Sequence, residues 1–255
     1  MSKLPKQYQF IDLSDYGRVI ARRIAAALVD TTFTPIHVTT LFVISGLLAI
    51  ACILNHYFLF AAFFLVLKSI LDAADGELSR LKNTPSYVGR FYDSIADYIL
   101  NFLFLLSIWY ITGEPLSKML IAFICMQLQG TLYNYYYVIF RNNVNGDSTS
   151  RVFEDEVPIA MKGEKQSTVT AFYHTYNTLY ILFDKIIYWM DRGAINSKPF
   201  PSWFMTFISI YGLGFQLLII ALMLILEIEA FILTFIIAYT IFLFAFIAIR
   251  RFILE

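Results

Sequence analysis

The stretch LDAADGELSRLKNTPSYVGRFYDSIADYIL, Leu71 to Leu100, places Asp72, Asp75, Asp93 and Asp97, with Glu77 and Arg80, at the edge of two apolar segments. On a helix, Asp72 and Asp75 are three apart and face the same way, and Gly76 and Arg80 are four apart on the adjoining stripe. On the next helix Gly89, Asp93 and Asp97 are spaced by four, again one stripe. The two stripes can face each other across an antiparallel pair whose connection is the loop around Lys82 to Val88. A charge at membrane depth costs about 2.5 to 3.5 kcal/mol on insertion scales, so four carboxylates there require compensation. Oxygen donors without cysteine or histidine suit Mg²⁺ or Mn²⁺ far better than zinc. Their number suggests two ions, which when about 3.5 to 4 Å apart clamp the entering and leaving oxygens of phosphoryl chemistry. Gly76 and Gly89 permit close backbone approach by a bulky ligand such as a nucleotide diphosphate, and Arg80 offers a planar fork for a phosphate.

Other readings of the acids are weaker. Single aspartates near a helix end often only solvate an interface, but two matched stripes are not explained that way. An EF-hand fails, because with Gly76 at the sixth loop position the first ligand falls on Leu71. A cation-coupled membrane transporter also binds ions through carboxylates, but these acids gather toward one face, and no inverted repeat or pair of broken helices accompanies them.

The elements that must position these residues are membrane helices. Hydrophobic residues make up 59% of the 255 and aromatics 18%, a surplus over soluble domains that a bilayer absorbs. Basic and acidic residues balance at 19 each, which argues against nucleic acid as a partner. Cys52 and Cys125 lie in apolar runs and read as small hydrophobes. The fold class expected is all-α, a polytopic membrane protein of six crossings: Ile36 to Asn55, Tyr57 to Leu78, Gly89 to Ile111, Leu116 to Phe140, Ser202 to Leu226 and Ala230 to Ile249. The short links at Asn55-His56 and Thr112 to Pro115 imply antiparallel neighbours. With the N-terminus inside, every lysine and arginine except Lys68 and Lys118 falls on the cytoplasmic face, which therefore also carries the aspartates.

Upstream, Asp15 to Leu28 has the spacing of an amphipathic helix lying in the interface, and nothing there resembles a removable signal peptide. Val169 to Met190 is apolar but interrupted by His174, Asn177, Asp184 and Lys185, which favours an interfacial or groove-packed helix over a seventh crossing. The expected organisation is 1–35, an N-terminal interfacial segment; 36–140, four crossings with the acidic motif; 141–201, a cytoplasmic loop and interfacial helix; and 202–255, two crossings and a tail. Gly212 and Gly214 would permit close helix contacts, but such residues are common in membrane helices and decide nothing. Lys68, Lys82, Arg90, Arg141 and Arg151 are candidates for an anionic-acceptor pocket, although positive-inside bias alone explains most of them.

As a string the motif is Asp72-x-x-Asp75-Gly76-x-x-Ser79-Arg80, eight residues, Gly89-x-x-x-Asp93-x-x-x-Asp97. It resembles the signature of the CDP-alcohol phosphatidyltransferase family, integral membrane enzymes of phospholipid synthesis, DxxDGxxAR, eight or nine residues, GxxxDxxxD. Seven of eight fixed positions agree, Ser79 standing where alanine is usual. The run TPIHVT, Thr34 to Thr39, is similar to the family's TPNxxT, with Ile36 in place of asparagine. The resemblance covers Asp15 to Phe140 and implies that Asp72, Asp75 and Asp93 hold two divalent ions, normally Mg²⁺ with Mn²⁺ as substitute. Asp97 completes the second site and serves as general base toward an alcohol acceptor. It further implies that Gly76, Arg80, Ser86 and Gly89, with Pro35, Ile36, His37 and Val38, cradle the cytidine and pyrophosphate of a CDP-linked donor. DGELSRLK with YVGRFYDSIAD is more similar to enzymes that pass a phosphatidyl group from CDP-diacylglycerol to a small polar alcohol than to the CDP-choline type, which acts on a lipid alcohol. The resemblance also implies contact with membrane lipids, a homodimer, and a multi-pass protein whose site faces the cytoplasm, a bacterial inner membrane being the setting expected.

Overall fold

A computed structural model describes residues 4–146 and 154–254. Among the described residues every regular element is helical: α1 (Arg18–Leu28), α2 (Pro35–Leu54), α3 (Phe58–Lys82), α4 (Tyr87–Thr112), α5 (Leu116–Asn143), α6 (Gln166–Met190), α7 (Ser202–Ile208), α8 (Leu213–Ile225), α9 (Ile232–Tyr239) and α10 (Ile241–Ile253). Lys3 and Arg151, counted above with the basic face, lie outside the described residues.

Local chemistry fixes the helix ends. Thr34 caps α2: its Oγ1 accepts from the His37 backbone N–H at 3.4 Å, while the His37 Nδ1 accepts from the Thr34 N–H at 3.1 Å, and Pro35 occupies the first turn. Asn83 ends α3 in the left-handed region (φ 52°), and Ser86 starts α4 by accepting the Gly89 N–H at 2.8 Å. Gly113 (φ 66°) closes α4 before Pro115. The segments expected as the first four crossings thus coincide as helices with α2 to α5 to within about a helical turn.

The fifth does not form one rod. Ser202–Tyr211 and Leu213–Ile225 meet at 51°, with Gly212 extended between them. The cause is an N-terminal strap: Ser14 packs where any Cβ on Gly212 or Gly214 would stand, and the Leu13 N–H donates to Ser209 Oγ at 2.9 Å. The sequence alone leaves these glycines undecided and reads Ser202 to Leu226 as one uninterrupted crossing.

By length and apolarity, α2, α4 and Glu229–Ile253 qualify as membrane spans, and the bent pair makes a fourth if it crosses as one unit. α3 and α5 are long enough but carry polar side chains inside the bundle, among them Lys68, Asp75, Gln127 and Gln129. In lipid, helices associate through packing and hydrogen bonds rather than apolar burial itself. Gly46 of α2 accordingly lets Leu100 of α4 approach, since a Cβ there would stand 2.7 Å from Leu100 Cδ1. Gln216 of α8 donates to Gln129 of α5 (2.8 Å), which donates to the Ile236 carbonyl (2.9 Å) and to Thr240 (2.8 Å).

α1 packs Ala21 and Ala25 against Ile70, Ala74 and Leu78 of α3, leaving Val19 and Ile20 exposed. α6 begins and ends beside the same end of the bundle. Glu164, just before it, accepts from Ser86 Oγ (2.7 Å) and the Val88 N–H (2.8 Å) at the start of α4. Asp191, just after it, accepts from Tyr136 (2.5 Å) and Arg250 (Nε, 2.6 Å) near the ends of α5 and α10.

Candidate active site

The two acidic stripes do converge. α3 and α4 run antiparallel from the Asn83 to Ser86 turn, and Asp72, Asp75 and Asp93 each turn in one carboxylate oxygen so that all three lie within 4.8 Å of one another. Asp75 is buried, and its Oδ2 takes a 2.5 Å hydrogen bond from Thr39 of α2. Asp93 Oδ1 is buried and accepts no hydrogen bond. Three clustered carboxylates, one of which has a buried oxygen without a donor, form a hard, anionic set that fits Mg²⁺ or Mn²⁺.

Asp97 lies one helical turn beyond this group, tied to Lys68. The Lys68 ammonium, with a side chain 0% exposed, donates to Asp72 Oδ2 at 2.8 Å and to Asp97 Oδ1 in a still closer contact. Its Nζ also sits 4.6 Å from the centre of the Phe42 ring.

The carboxylates form one wall of a cavity of about 360 Å³, in the range of small-ligand sites. Gly76 and Arg80 continue the α3 wall. Facing them are the strap residues Asp12, Ser14, Asp15 and Arg18, then Tyr133, Asn134 and Tyr137 of α5, and Gly214. The strap holds itself in place: Tyr133 donates to Asp12 Oδ2 at 2.5 Å, Asp12 Oδ1 accepts the Ser14 N–H at 3.0 Å, and Arg18 pairs with Asp15. Burial depresses the affinity of the Arg18 guanidinium for its proton, but Asp15 and, more weakly, Glu77 outweigh it and raise the group above its ordinary value. Glu77 is the hub of a guanidinium cluster, 3.1 Å from Arg80 and 3.7 Å from both Arg18 and Arg22. A Cβ on Gly76 would make only ordinary contact with the Arg80 guanidinium (3.4 Å), so internal packing does not require the glycine.

The remaining expected ligand residues form a second neighbourhood. A Cβ on Gly89 would meet Ser86 Oγ at 3.2 Å and Ile36 Cγ1 at 3.9 Å, which brings Ile36, Ser86 and Gly89 together. Neither these nor Pro35, His37 and Val38 line the cavity. His37 is engaged in the α2 cap, and Val38 is buried against α1 and α3. The basic residues also disperse: Lys82 donates to the Thr31 carbonyl at 2.6 Å, Arg90 pairs with Glu154 at 2.7 Å, and Arg141 lies 5.0 Å from the centre of the Tyr137 ring. Lys68 reaches the carboxylates of Asp72 and Asp97.

Sequence reasoning passed over Thr39, the strap, Tyr133, Tyr137 and Glu164. Thr39 had a signal, since it closes the TPIHVT run at one helical turn from Pro35. The strap had none, because its contacts depend on long-range packing against α5 and α8.

A family model described as CDP-alcohol phosphatidyltransferase matches residues 32–194, well over half of the chain and past the Phe140 limit of the sequence resemblance. No curated protein matches.

Proposed function

The chain belongs to the CDP-alcohol phosphatidyltransferase family, and from that premise we propose that it moves a phosphatidyl group from CDP-diacylglycerol to the hydroxyl of a small polar alcohol, releasing CMP. The observation that carries this reading is the convergence of Asp72, Asp75 and Asp93 on a polar cavity with Asp97 at its edge. Bound divalent ions, two in the working complex and normally Mg²⁺, supply charge neutralisation for the donor's pyrophosphate and the departing CMP.

The rest is the work of the chain's own residues. Asp72, Asp75 and Asp93 hold cations, and Thr39 fixes the Asp75 carboxylate. Arg80, steadied by Glu77, presents its fork to a phosphate. Ile36, Ser86 and Gly89 form a surface for the nucleotide, with Pro35, His37 and Val38 holding the start of α2 in place behind it. Asp97 accepts the proton of the acceptor hydroxyl as its oxygen bonds to the phosphatidyl phosphorus and the phosphorus–oxygen bond to CMP breaks. Asp12, Ser14, Asp15, Tyr133 and Asn134 give the opposite wall a hydrogen-bonding surface that suits a hydroxylated acceptor better than an acyl glycerol.

The same reading makes α2, α3, α4, α5, the bent α7–α8 pair and α9–α10 six crossings, with α1 and α6 lying at the cytoplasmic interface of a bacterial inner membrane. Support comes from the basic residues and from the way both ends of α6 meet one end of the bundle. A homodimer is part of the same proposal and rests on resemblance to the family alone. The test is purified protein in detergent with CDP-diacylglycerol, Mg²⁺ and a panel of alcohols, scored by CMP and lipid product mass. Metal-dependent CMP release with one or a few polar alcohols is expected. Release only with diacylglycerol and CDP-choline would reverse donor and acceptor, and absence of CMP under all conditions would refute the reading.

A further inference from the structure

Lys68 is the one cation among the described residues that touches the acidic cluster without belonging to the family motif. It precedes Asp72 by one turn of α3, so the helix backbone fixes its place, and it is fully buried beneath Phe42. Its two contacts are selective. It engages Oδ2 of Asp72 and Oδ1 of Asp97, and neither contact is with Asp75 or Asp93, which gather with Asp72 within 4.8 Å. Oxygens that a second ion would use are therefore already committed to an ammonium.

Charge favours the same division. Taken without the rest of the cavity wall, the four carboxylates and the ammonium are net negative after one divalent ion binds and net positive after two. A buried site does not hold an uncompensated charge cheaply, whereas a pyrophosphate arriving with the donor removes that excess.

Resting on the two-ion reading above, we propose that Lys68 sets the order of loading. The resting protein carries one divalent ion, on Asp72, Asp75 and Asp93. Lys68 meanwhile holds Asp97 and one oxygen of Asp72 until the CDP-linked donor brings the second ion with its own phosphates. Lys68 is in this sense a positioning residue, and it keeps Asp97 at the cavity edge while the second position waits for substrate.

Mn²⁺ stoichiometry on the purified full chain, measured by equilibrium dialysis with and without CDP-diacylglycerol and with no acceptor present, tests this directly. The wild type is expected to bind one Mn²⁺ per chain alone and two with the donor. Lys68→Met, with nothing to occupy Asp97, is expected to bind two without donor, and Lys68→Arg, which keeps the cation, to bind as the wild type. Two ions on the donor-free wild type, or one on a folded Lys68→Met protein, would overturn the proposal. Two ions on the donor-free wild type overturn the proposal even if Lys68→Met does not fold, and Lys68→Gln then takes its place with the same expectation of two ions. No Mn²⁺ on the wild type, or normal binding by Asp93→Asn, would instead show that the metal reading itself fails.

Discussion

Thr39→Val isolates a single hydrogen bond behind the metal group. The Thr39 hydroxyl lies 2.5 Å from Asp75 Oδ2 and 3.1 Å from the Pro35 carbonyl, and it has one proton to give. The nearer, charged oxygen takes it. Both partners are buried, Thr39 at 2% and Asp75 at 8% exposure, so water does not replace the donor when valine, of nearly the same shape, removes it. A hydrogen bond to a charged group is worth about 1.5 to 3 kcal/mol, which at roughly 1.4 kcal/mol per decade is about 10- to 150-fold. Loss of a partner that orients a metal ligand costs about 10- to 100-fold in metal affinity, the same interval reached from another direction. CMP release at saturating donor and acceptor, followed against Mn²⁺ concentration, should show half-saturation displaced upward by about 10- to 100-fold with the maximal rate kept within a few-fold. Thr40→Val is the control, because that exposed hydroxyl bonds only back to the Ile36 carbonyl at 2.9 Å, and it should leave the metal requirement unchanged. An unmoved half-saturation in Thr39→Val would refute the supporting role. A collapse of maximal rate at normal half-saturation would place Thr39 against the reacting groups instead.

Three further changes probe other parts of the site. Asp97→Asn should lower turnover by about 10²- to 10⁴-fold, the usual worth of a general base, while Mn²⁺ binding to the resting protein persists; full activity would remove the assignment. Gly214→Ala drives a methyl group into the Ser14 carbonyl, an overpacking worth about 1 to 3 kcal/mol. The strap should shift, raising KM for the acceptor without changing Mn²⁺ binding, and an unchanged KM would show that the strap is not an acceptor wall. Asp191→Asn leaves Arg250 buried without its counter-charge, a loss of about 3 to 5 kcal/mol. Trypsin should then cut faster at Arg250 and Arg251 in inside-out vesicles, and equal rates would argue against Asp191 as the anchor of α10.

What could be read from the sequence follows the range over which each signal acts. The α3–α4 hairpin was legible because its chemistry is periodic: spacings of three and four put Asp72 with Asp75 and Asp93 with Asp97 on single stripes, and the Asn83 to Ser86 turn allows those stripes to face. The helix ends were legible for the same local reason, as with Thr34-Pro35 and Gly113. The break at Gly212 was not, because its cause is Ser14, far away in sequence, wedged against a Gly-Leu-Gly run whose flanks are apolar on both sides. Lys68 falls between these cases. Its spacing to Asp72 is a helical signal visible in the chain, but whether an ammonium there faces lipid, cytoplasm or the carboxylates depends on how α3 is rotated in the bundle. That rotation is fixed by packing at Phe42, Leu65 and Leu100, residues that look like any other membrane apolar side chains. The same apolar contacts that give no functional signal of their own thus decide that the buried ammonium meets Asp97.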